Sequence, residues 1–258
     1  MAEIPIIEIK GVDKVFKLQD QAINALADAN LSIRKGEFIC LIGASGCGKS
    51  TLLRIMAGFE KPTAGKALMW GKPIDGPDPG RGMVFQDYAL FPWLSVRDNI
   101  GFGPASRGRP RGEVSANVDK FVELVGLQKF ANAYPHQLSG GMKQRVAIAR
   151  VLANDAELVL MDEPFGALDA QTRNILQGQL LDIWQKEKVS IVFVTHSVDE
   201  AVFLADKVAI MTARPGRIKE VVDVAIPRPR VRTDPEVNKV RDAILKSLFD
   251  EVKNLSDR

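Results

Sequence analysis

Two stretches of this sequence expose backbone groups suited to an anion. The first is "GASGCGKST", in which Gly43, Gly48, Lys49 and Ser50 fit the spacing G-x-x-x-x-G-K-[ST]. It follows the apolar run "FICLI" and precedes the helical pattern "KSTLLRIMAG", the strand–loop–helix context that this spacing requires. Glycines there let the backbone wrap round phosphates. Lys49 offers a point charge to the β- and γ-phosphates, and the Ser50 hydroxyl is suited to ligate Mg2+. The second stretch is "LSGGMKQR", where Ser139, Gly140 and Gly141 open another helical pattern. Bare N–H groups at such a start also favour an anion. One chain therefore carries two phosphate-shaped helix starts far apart, and the question is why.

Further residues join this chemistry. "LVLMDE" is an apolar strand that delivers carboxylates at its end. Alone, an Asp–Glu pair is just a strand terminus. Downstream of a phosphate loop, Asp162 reads as the metal-side carboxylate and Glu163 as the group that polarises the attacking water. Adjacent strand residues point opposite ways, so the two can do different jobs. His196 ends the strand "IVFVT", where α/β sheets place ligand-facing residues, and reads as a γ-phosphate contact rather than a structural histidine. His136 reads as an ordinary surface or packing residue. Gln86 follows the short apolar strand in "GMVFQ"; it is either a turn residue or a contact to metal or water. Phe91 and Trp93 beyond it read as an exposed docking surface, with core as the bland alternative.

These residues need a scaffold of alternating elements. "IIEIKGVDKVFK" alternates as a strand pair, and "INALADANLSIRKGE" continues in that style. "FICLI" is a buried strand, and the helix after it stops at Gly58. "GKALMWGKPI" reads as a strand and turn, and residues 87–112 read as irregular. "EVSANVDKFVELVGL" is an amphipathic helix with Val118, Phe121, Val122 and Val125 on one face. After the Ser139 helix come the buried strand "ELVLMDE", bounded by Pro164, the long helix "DAQTRNILQGQLLDIWQKE" and the buried strand "VSIVFVTH". "SVDEAVFLADK" opens with a capping box of Ser197 and Glu200. "VAIM" and "RIKEVVDV" flank "ARPG", where Pro215 and Gly216 suit a type II turn. Asp234 caps "PEVNKVRDAILKSLFDEV", whose Val237, Val240, Ile244, Leu245, Leu248 and Val252 share a face. The alternation predicts an α/β fold with a mainly parallel sheet, an antiparallel N-terminal part and a helical insertion around residues 88–150.

Composition bounds the function. The 258 residues suffice for one large domain or one and a half. A net charge of +3 is too weak to argue for nucleic acid. "RGRPRG" and "RPRVR" are short basic runs, read as solvated loops. Cys40 and Cys47 make no disulfide framework, which implies a reducing compartment. "MAEIPIIEIK" lacks the pattern of a signal peptide. No apolar run reaches the ~18 residues needed to span a bilayer, so a membrane role must come through a partner.

The ordered set "GASGCGKST", "VFQ", "LSGGMKQR", "LVLMDEP", "ALD" and "VTH" resembles the nucleotide-binding subunit of an ATP-binding cassette transporter. The resemblance covers about residues 4–225, with the helical subdomain at about 88–150, and leaves 226–258 as a tail with an amphipathic helix. It implies a P-loop ATPase core, with ATP and Mg2+ as cofactors. Nucleotide would lie on Gly43, Ala44, Ser45, Gly46, Cys47, Gly48, Lys49, Ser50 and Thr51. Phe16 in "KVFK" resembles the aromatic that stacks on adenine, where tyrosine is commoner. Ser50, Gln86 and Asp162 would face the metal, and Glu163, His196 and Gln86 the reaction. Asp169 in "ALDAQTR" resembles the loop that links two active sites. In the family, the LSGG serine and glycines bind the γ-phosphate of ATP held by another subunit. The resemblance thus answers the opening question: the second helix start is half of a site completed in a homodimer that sandwiches two ATPs.

"ALFPWLSVRDNI", "FGALDAQTR" and "TARPGRI" resemble, more narrowly, the importer subfamily for nitrate, sulfonates and taurine. That implies a peripheral protein on the cytoplasmic face of the cell membrane. It would work with integral-membrane permease subunits and, indirectly, a periplasmic or extracellular solute-binding protein, without nucleic acid. In the family, residues 87–103 would receive a short cytoplasmic helix of the permease. The alternative is a soluble cassette ATPase acting on nucleic acid or the ribosome. Such proteins usually carry a long coiled-coil insertion or two cassettes, and this chain shows one cassette and no heptad run. A P-loop kinase or GTPase would not need "LSGG".

Overall fold

A computed structural model of the chain describes residues 4–18 and 21–256. β1 (Ile7–Leu18) and β2 (Gln21–Ile33) pair antiparallel, with Phe16 opposite Ile23. The stretch expected to form a strand pair is one strand. Its irregularity is taken up by register shifts around Val12 and Lys14 rather than by a turn. β3 (Phe38–Gly43) leads through a loop into α1 (Lys49–Ala57), which ends as expected at Gly58 in the left-handed region, φ 82°. β4 (Ala64–Met69) and the short β5 (Lys72–Pro73) follow, then β6 (Arg81–Val84). Next come α2 (Val96–Ser106), α3 (Arg111–Leu124) and α4 (Gly140–Leu152). β7 (Leu158–Asp162) and α5 (Ala170–Glu187) precede β8 (Ser190–Val194), α6 (Val198–Leu204), β9 (Lys207–Met211), β10 (Ile218–Asp223) and α7 (Pro235–Ser256).

The described residues group into two compact units, one of residues up to Pro77 together with those from Ser190 onward, the other Asp78–Val189. The first unit holds an antiparallel sheet in the order β2-β1-β4-β5, and the neighbouring strands β10-β9-β3-β8. β3 runs parallel to both β8 and β9, while β10 returns antiparallel on β9. Every residue of β8 is buried, as is β3 from Phe38 to Ile42, which is why both read as unbroken apolar runs. α1 covers them with Leu52, Leu53, Ile55 and Met56. The second unit holds the parallel pair β6 and β7 with helices α2 to α5. Val118, Phe121, Val122 and Val125 are buried, as the helical spacing predicts.

The structure corrects several expectations. α2 lies in the segment expected to be irregular. Gly101, Gly103 and Pro104 lower its helix propensity. The two glycines let neighbouring side chains approach closely, since a Cβ on Gly103 would come within 2.1 Å of Asn154 Oδ1 and one on Gly101 within 3.0 Å of Val118 Cγ2. Ser95 caps the helix by accepting the Asp98 N–H at 3.2 Å. Ser197 likewise accepts the Glu200 N–H at 3.3 Å, but the Glu200 carboxylate takes the Thr195 hydroxyl instead of closing the capping box. The Arg214–Pro215 peptide is cis, which is not the geometry of a type II turn. "RPRVR" is not a solvated loop, because Arg230 is 6% exposed. In "RGRPRG", Arg107 and Arg109 both reach Asp155. Asp234 caps α7 as expected by accepting the Glu236 N–H at 2.9 Å. Val237 and Ile244 are buried on that helix. The side chain of Val252 lies outside the described residues. No helix among the described residues is long and apolar enough to cross a membrane.

Candidate functional site

In the first unit, β3 delivers the phosphate-shaped loop. The loop turns through Gly46 at φ 76° and Gly48 at φ 90°. Gly48 is the N-cap of α1, and no side chain caps that end, so the first N–H groups of the helix face the loop. An added Cβ on Gly48 would sit 2.7 Å from the Ala25 carbonyl oxygen on β2, so the position requires glycine for both conformation and space. Lys49 is 7% exposed. Its Nζ donates to the carbonyls of Gly43 at 2.9 Å and Ala44 at 3.1 Å and lies 3.8 Å from Cys47 Sγ. The loop thus holds a cation at its centre. Burial pushes the Cys47 thiol up, with Lys49 opposing, so the buried thiol stays neutral at physiological pH.

Two other candidates lie in this unit. Leu41 of β3 pairs with Val194 of β8, so Gly43 and His196, each two residues further on, leave parallel neighbours at the same level. His196 is exposed there. Phe16 lies on β1 opposite Ile23 of β2, with Lys14 Nζ 4.8 Å above its ring. Ile23 is two residues from Ala25, about 7 Å along the strand, and Ala25 is the residue that approaches Gly48. The aromatic is therefore carried close to the loop by the strand that closes over it.

In the second unit, Val84 of β6 pairs with Met161 of β7. Gln86 and Glu163 each lie two residues beyond that register and converge on Gly166. A Cβ there would be 3.7 Å from Gln86 Nε2 and 3.9 Å from Glu163 Cβ. Glu163 has φ 46°, a left-handed conformation that costs a non-glycine residue about 1–2 kcal/mol. Such outliers concentrate at functional sites. Asp162 ends β7 immediately before it.

The same unit brings the starts of α4 and α5 together. Ser139 caps α4 by accepting the Met142 N–H at 3.3 Å and is exposed. A Cβ on Gly140 would meet Leu168 Cδ2 at 3.1 Å, and one on Gly141 would meet Thr172 Cγ2 at 3.0 Å. Asp169 caps α5 by accepting the Thr172 N–H at 2.9 Å, a bond that holds its carboxyl below the usual carboxylate range.

Two bracing residues escaped the sequence reading. Tyr88 and Ala89, with φ 64° and 44°, follow Gln86, and Arg150 holds both. Arg150 donates to the Ala89 carbonyl at 2.6 Å and the Tyr88 carbonyl at 3.1 Å, and its guanidinium lies 5.5 Å over the Phe91 ring. Asn99, fully buried, bonds the Phe91 N–H and the carbonyls of Phe91, Leu94 and Ser95. It lay in a stretch that reads as irregular in the sequence, where a single asparagine carries no signal of this role.

The residues fit ATP and Mg2+ in donor chemistry. The glycine cradle with its central lysine suits phosphate. Among the described residues, no group of three or more His, Cys, Asp or Glu could hold a metal alone. The Ser50 hydroxyl, Gln86 amide and Asp162 carboxylate supply hard oxygen donors, the kind Mg2+ takes when phosphates and water complete its shell.

Comparison with known proteins agrees with this chemistry. The family model described as "ABC transporter" matches residues 26–166. An uncharacterized ABC transporter ATP-binding protein of Methanocaldococcus jannaschii is 55% identical over 246 residues, covering 95% of this chain and 92% of that protein. A nitrate import ATP-binding protein of Synechocystis sp. is 46% identical, covering 92% of this chain and 93% of that one. A taurine import ATP-binding protein of Roseobacter denitrificans is 45% identical, covering 95% and 94%. A solved dimeric ATP-binding cassette in a post-hydrolysis state, bound to ADP and Pi, superposes with a TM-score of 0.74 at 30% identity. It covers 86% of this chain and 100% of that one.

Proposed function

The chain belongs to the ATP-binding cassette family and is an ATP-binding ATPase, and from that premise we propose that it energises a membrane importer for a small anionic solute such as nitrate, a sulfonate or taurine. It would do so as a homodimer on the cytoplasmic face of the membrane, bound to permease subunits that a solute-binding protein supplies. The solute class rests on the names of relatives for nitrate and taurine import.

Bound MgATP supplies the phosphoryl group whose transfer to water releases the energy. The chain's residues take the following parts. The N–H groups from Gly43 to Thr51 bind phosphate, and Lys49 exchanges loop carbonyls for phosphate oxygens. Phe16 stacks on the base. Ser50, Gln86 and Asp162 hold Mg2+. Glu163 accepts a hydrogen bond from the attacking water and orients it. His196 contacts the γ-phosphate. Ser139, Gly140 and Gly141 close over the nucleotide of the second copy, with Asp169 beside them.

The observation that carries the transport reading is Trp93. It is 70% exposed, yet it is mounted on a braced platform. Its ring lies 5.8 Å from Phe91, which lies 4.5 Å from Phe102, itself 45% exposed. Asn99 fixes the backbone beneath. A rigid exposed tryptophan is the kind of anchor that dominates protein–protein interfaces. Trp93→Ala should leave ATP turnover of the isolated protein unchanged, while co-purification with the permease and solute uptake both fall. Uptake and co-purification at the original level would remove the permease from this face.

A further inference from the structure

α6 has only 7 residues and begins two positions after His196. At about 1.5 Å per residue it is roughly 10 Å long, so whatever fixes its far end also fixes the end beside His196. The far end is held by the tail. Arg230 Nη1 donates to the carbonyls of Val202 at 2.6 Å, Phe203 at 3.4 Å and Ala205 at 2.7 Å. Arg228 Nη2 takes the Leu204 carbonyl at 2.6 Å. The last carbonyls of the helix, which no backbone N–H within it can reach, are thus taken by two arginines of "RPRVR". The guanidinium of Arg232 lies 3.9 Å over the Phe203 ring. Alternation puts the three arginines inward and leaves Val231 61% exposed.

Arg230 is fastened on its other side too. Its Nε donates to the Ile226 carbonyl at 3.0 Å and its Nη2 to the Val224 carbonyl at 2.9 Å. Burial and the neighbouring Arg228 lower its pKa to about 10, and it remains a cation at neutral pH. Its charge sits where the helix dipole is negative. Arg228 pairs with Asp206 at 2.5 Å, and the other Asp206 oxygen accepts the Phe38 N–H at 2.9 Å, at the start of the strand that ends in the phosphate loop. At the near end of α6, Thr195 Oγ1 accepts the Ser197 N–H at 3.0 Å, and the Thr195 N–H donates to Leu41 of β3 at 3.2 Å. His196 therefore lies between Thr195, which is bonded to β3, and a short rod whose far end is tied to the start of the same strand.

We propose that the tail segment from Ile226 to Arg232 positions His196 for the reaction, with Arg230 the positioning residue that acts through α6. This rests on the reading of His196 as a γ-phosphate contact. The clamp satisfies the last carbonyls of α6 and so stabilises the helix, and because α6 begins two residues after His196 the same clamp also fixes the backbone that carries that histidine. Misplacement of a reacting group by about 1 Å can cost about a hundredfold in rate, so loss of the clamp should act on turnover more than on nucleotide binding.

The test is a double-mutant cycle in the full-length protein. Arg230→Lys keeps the charge but cannot span the Val202, Ala205 and Val224 carbonyls with one fork. It should lower kcat for ATP about tenfold or more, with KM changed less than about twofold. His196→Ala should lower kcat on its own, and adding Arg230→Lys to it should then lower kcat by less than about twofold. Equal factors in both backgrounds, or wild-type kcat in Arg230→Lys, would overturn the proposal while leaving the His196 reading intact. Undiminished kcat in His196→Ala would sink that reading, and this inference with it. If Arg230→Lys does not fold, Arg228→Gln enters the same cycle. It should show a loss of about threefold that vanishes in the His196→Ala background. A loss that persists there, or no loss, is again fatal.

Discussion

α1 and α4 both begin at glycines with N–H groups turned outward, yet they are built differently. The start of α1 has no side-chain cap, holds the Lys49 ammonium at its centre and is enclosed by the Ala25 carbonyl. The start of α4 is capped by Ser139, is exposed at that residue, and rests Gly140 and Gly141 against Leu168 and Thr172 at the start of α5. One end is a cradle with the shape to surround a phosphate by itself, as proposed for it. The other is a shallow face, already satisfied in part, which the proposal sets against a phosphate held by a second copy. The difference also gives Gly141, whose added Cβ would stand 3.0 Å from Thr172 Cγ2, a packing reason that does not depend on nucleotide.

Removing the central cation should have the largest effect on binding. A hydrogen bond to a charged group contributes about 1.5–3 kcal/mol. Lys49→Ala should therefore weaken ATP about ten- to a hundredfold in a fluorescent-nucleotide titration, whereas Lys143→Ala in the first turn of α4 should leave monomer affinity unchanged. Equal effects at the two lysines would erase the distinction between the helix starts.

A smaller effect separates the glycines. Gly48→Ala forces a side chain into φ 90° and against a backbone oxygen, a strain of order 1–3 kcal/mol. Gly140→Ala meets only the flexible end of Leu168 and the Tyr88 hydroxyl, and at the first helical position it changes helix propensity little. Urea midpoints should fall clearly for Gly48→Ala and hardly move for Gly140→Ala. A comparable fall in both would mean that the α4 start is as tightly enclosed as the α1 start.

The α1 site was legible because everything that defines it is local. A buried strand, a glycine spacing and a helix lie within one short stretch, and β3, β7 and β8 are unbroken apolar runs. α2 was not legible, because Asn99, Gly101, Gly103 and Pro104 argue against a helix and the Ser95 cap argues for it. The buried Arg230 was read as solvated because the carbonyls it caps lie 28 and 25 positions earlier in the chain, at Val202 and Ala205. Arg150 was missed for the same reason, since Tyr88 and Ala89 precede it by 62 and 61 positions. Residues whose partners adjoin them in sequence announce themselves, and residues that brace a site from a distance do not.

The smallest change in stability should make the sharpest distinction between the two helix starts. Ser139 has one task that the structure shows, capping α4, and one that is proposed, contacting the phosphate of a second copy. Ser139→Asp separates them. Aspartate caps about as well as serine, and its charge suits a helix N-terminus, so the monomer's urea midpoint should shift by no more than a few tenths of a kcal/mol. A second negative charge at the lid, however, meets the γ-phosphate of the partner's nucleotide with like-charge repulsion. In a Glu163→Gln background, where the role proposed for Glu163 predicts slow turnover and accumulation of a nucleotide-bound state, light scattering should find a dimer with ATP and a monomer without it. Adding Ser139→Asp should leave a monomer in both conditions, with ATP affinity per chain unchanged because the intact cradle at α1 does the binding. Ser139→Ala makes the opposite trade: it loses the cap, about 1 kcal/mol, but adds no repulsion, so the dimer should weaken without disappearing. An undiminished ATP-dependent dimer in the Ser139→Asp variant would leave the α4 start with its cap and its packing against α5 as its whole purpose.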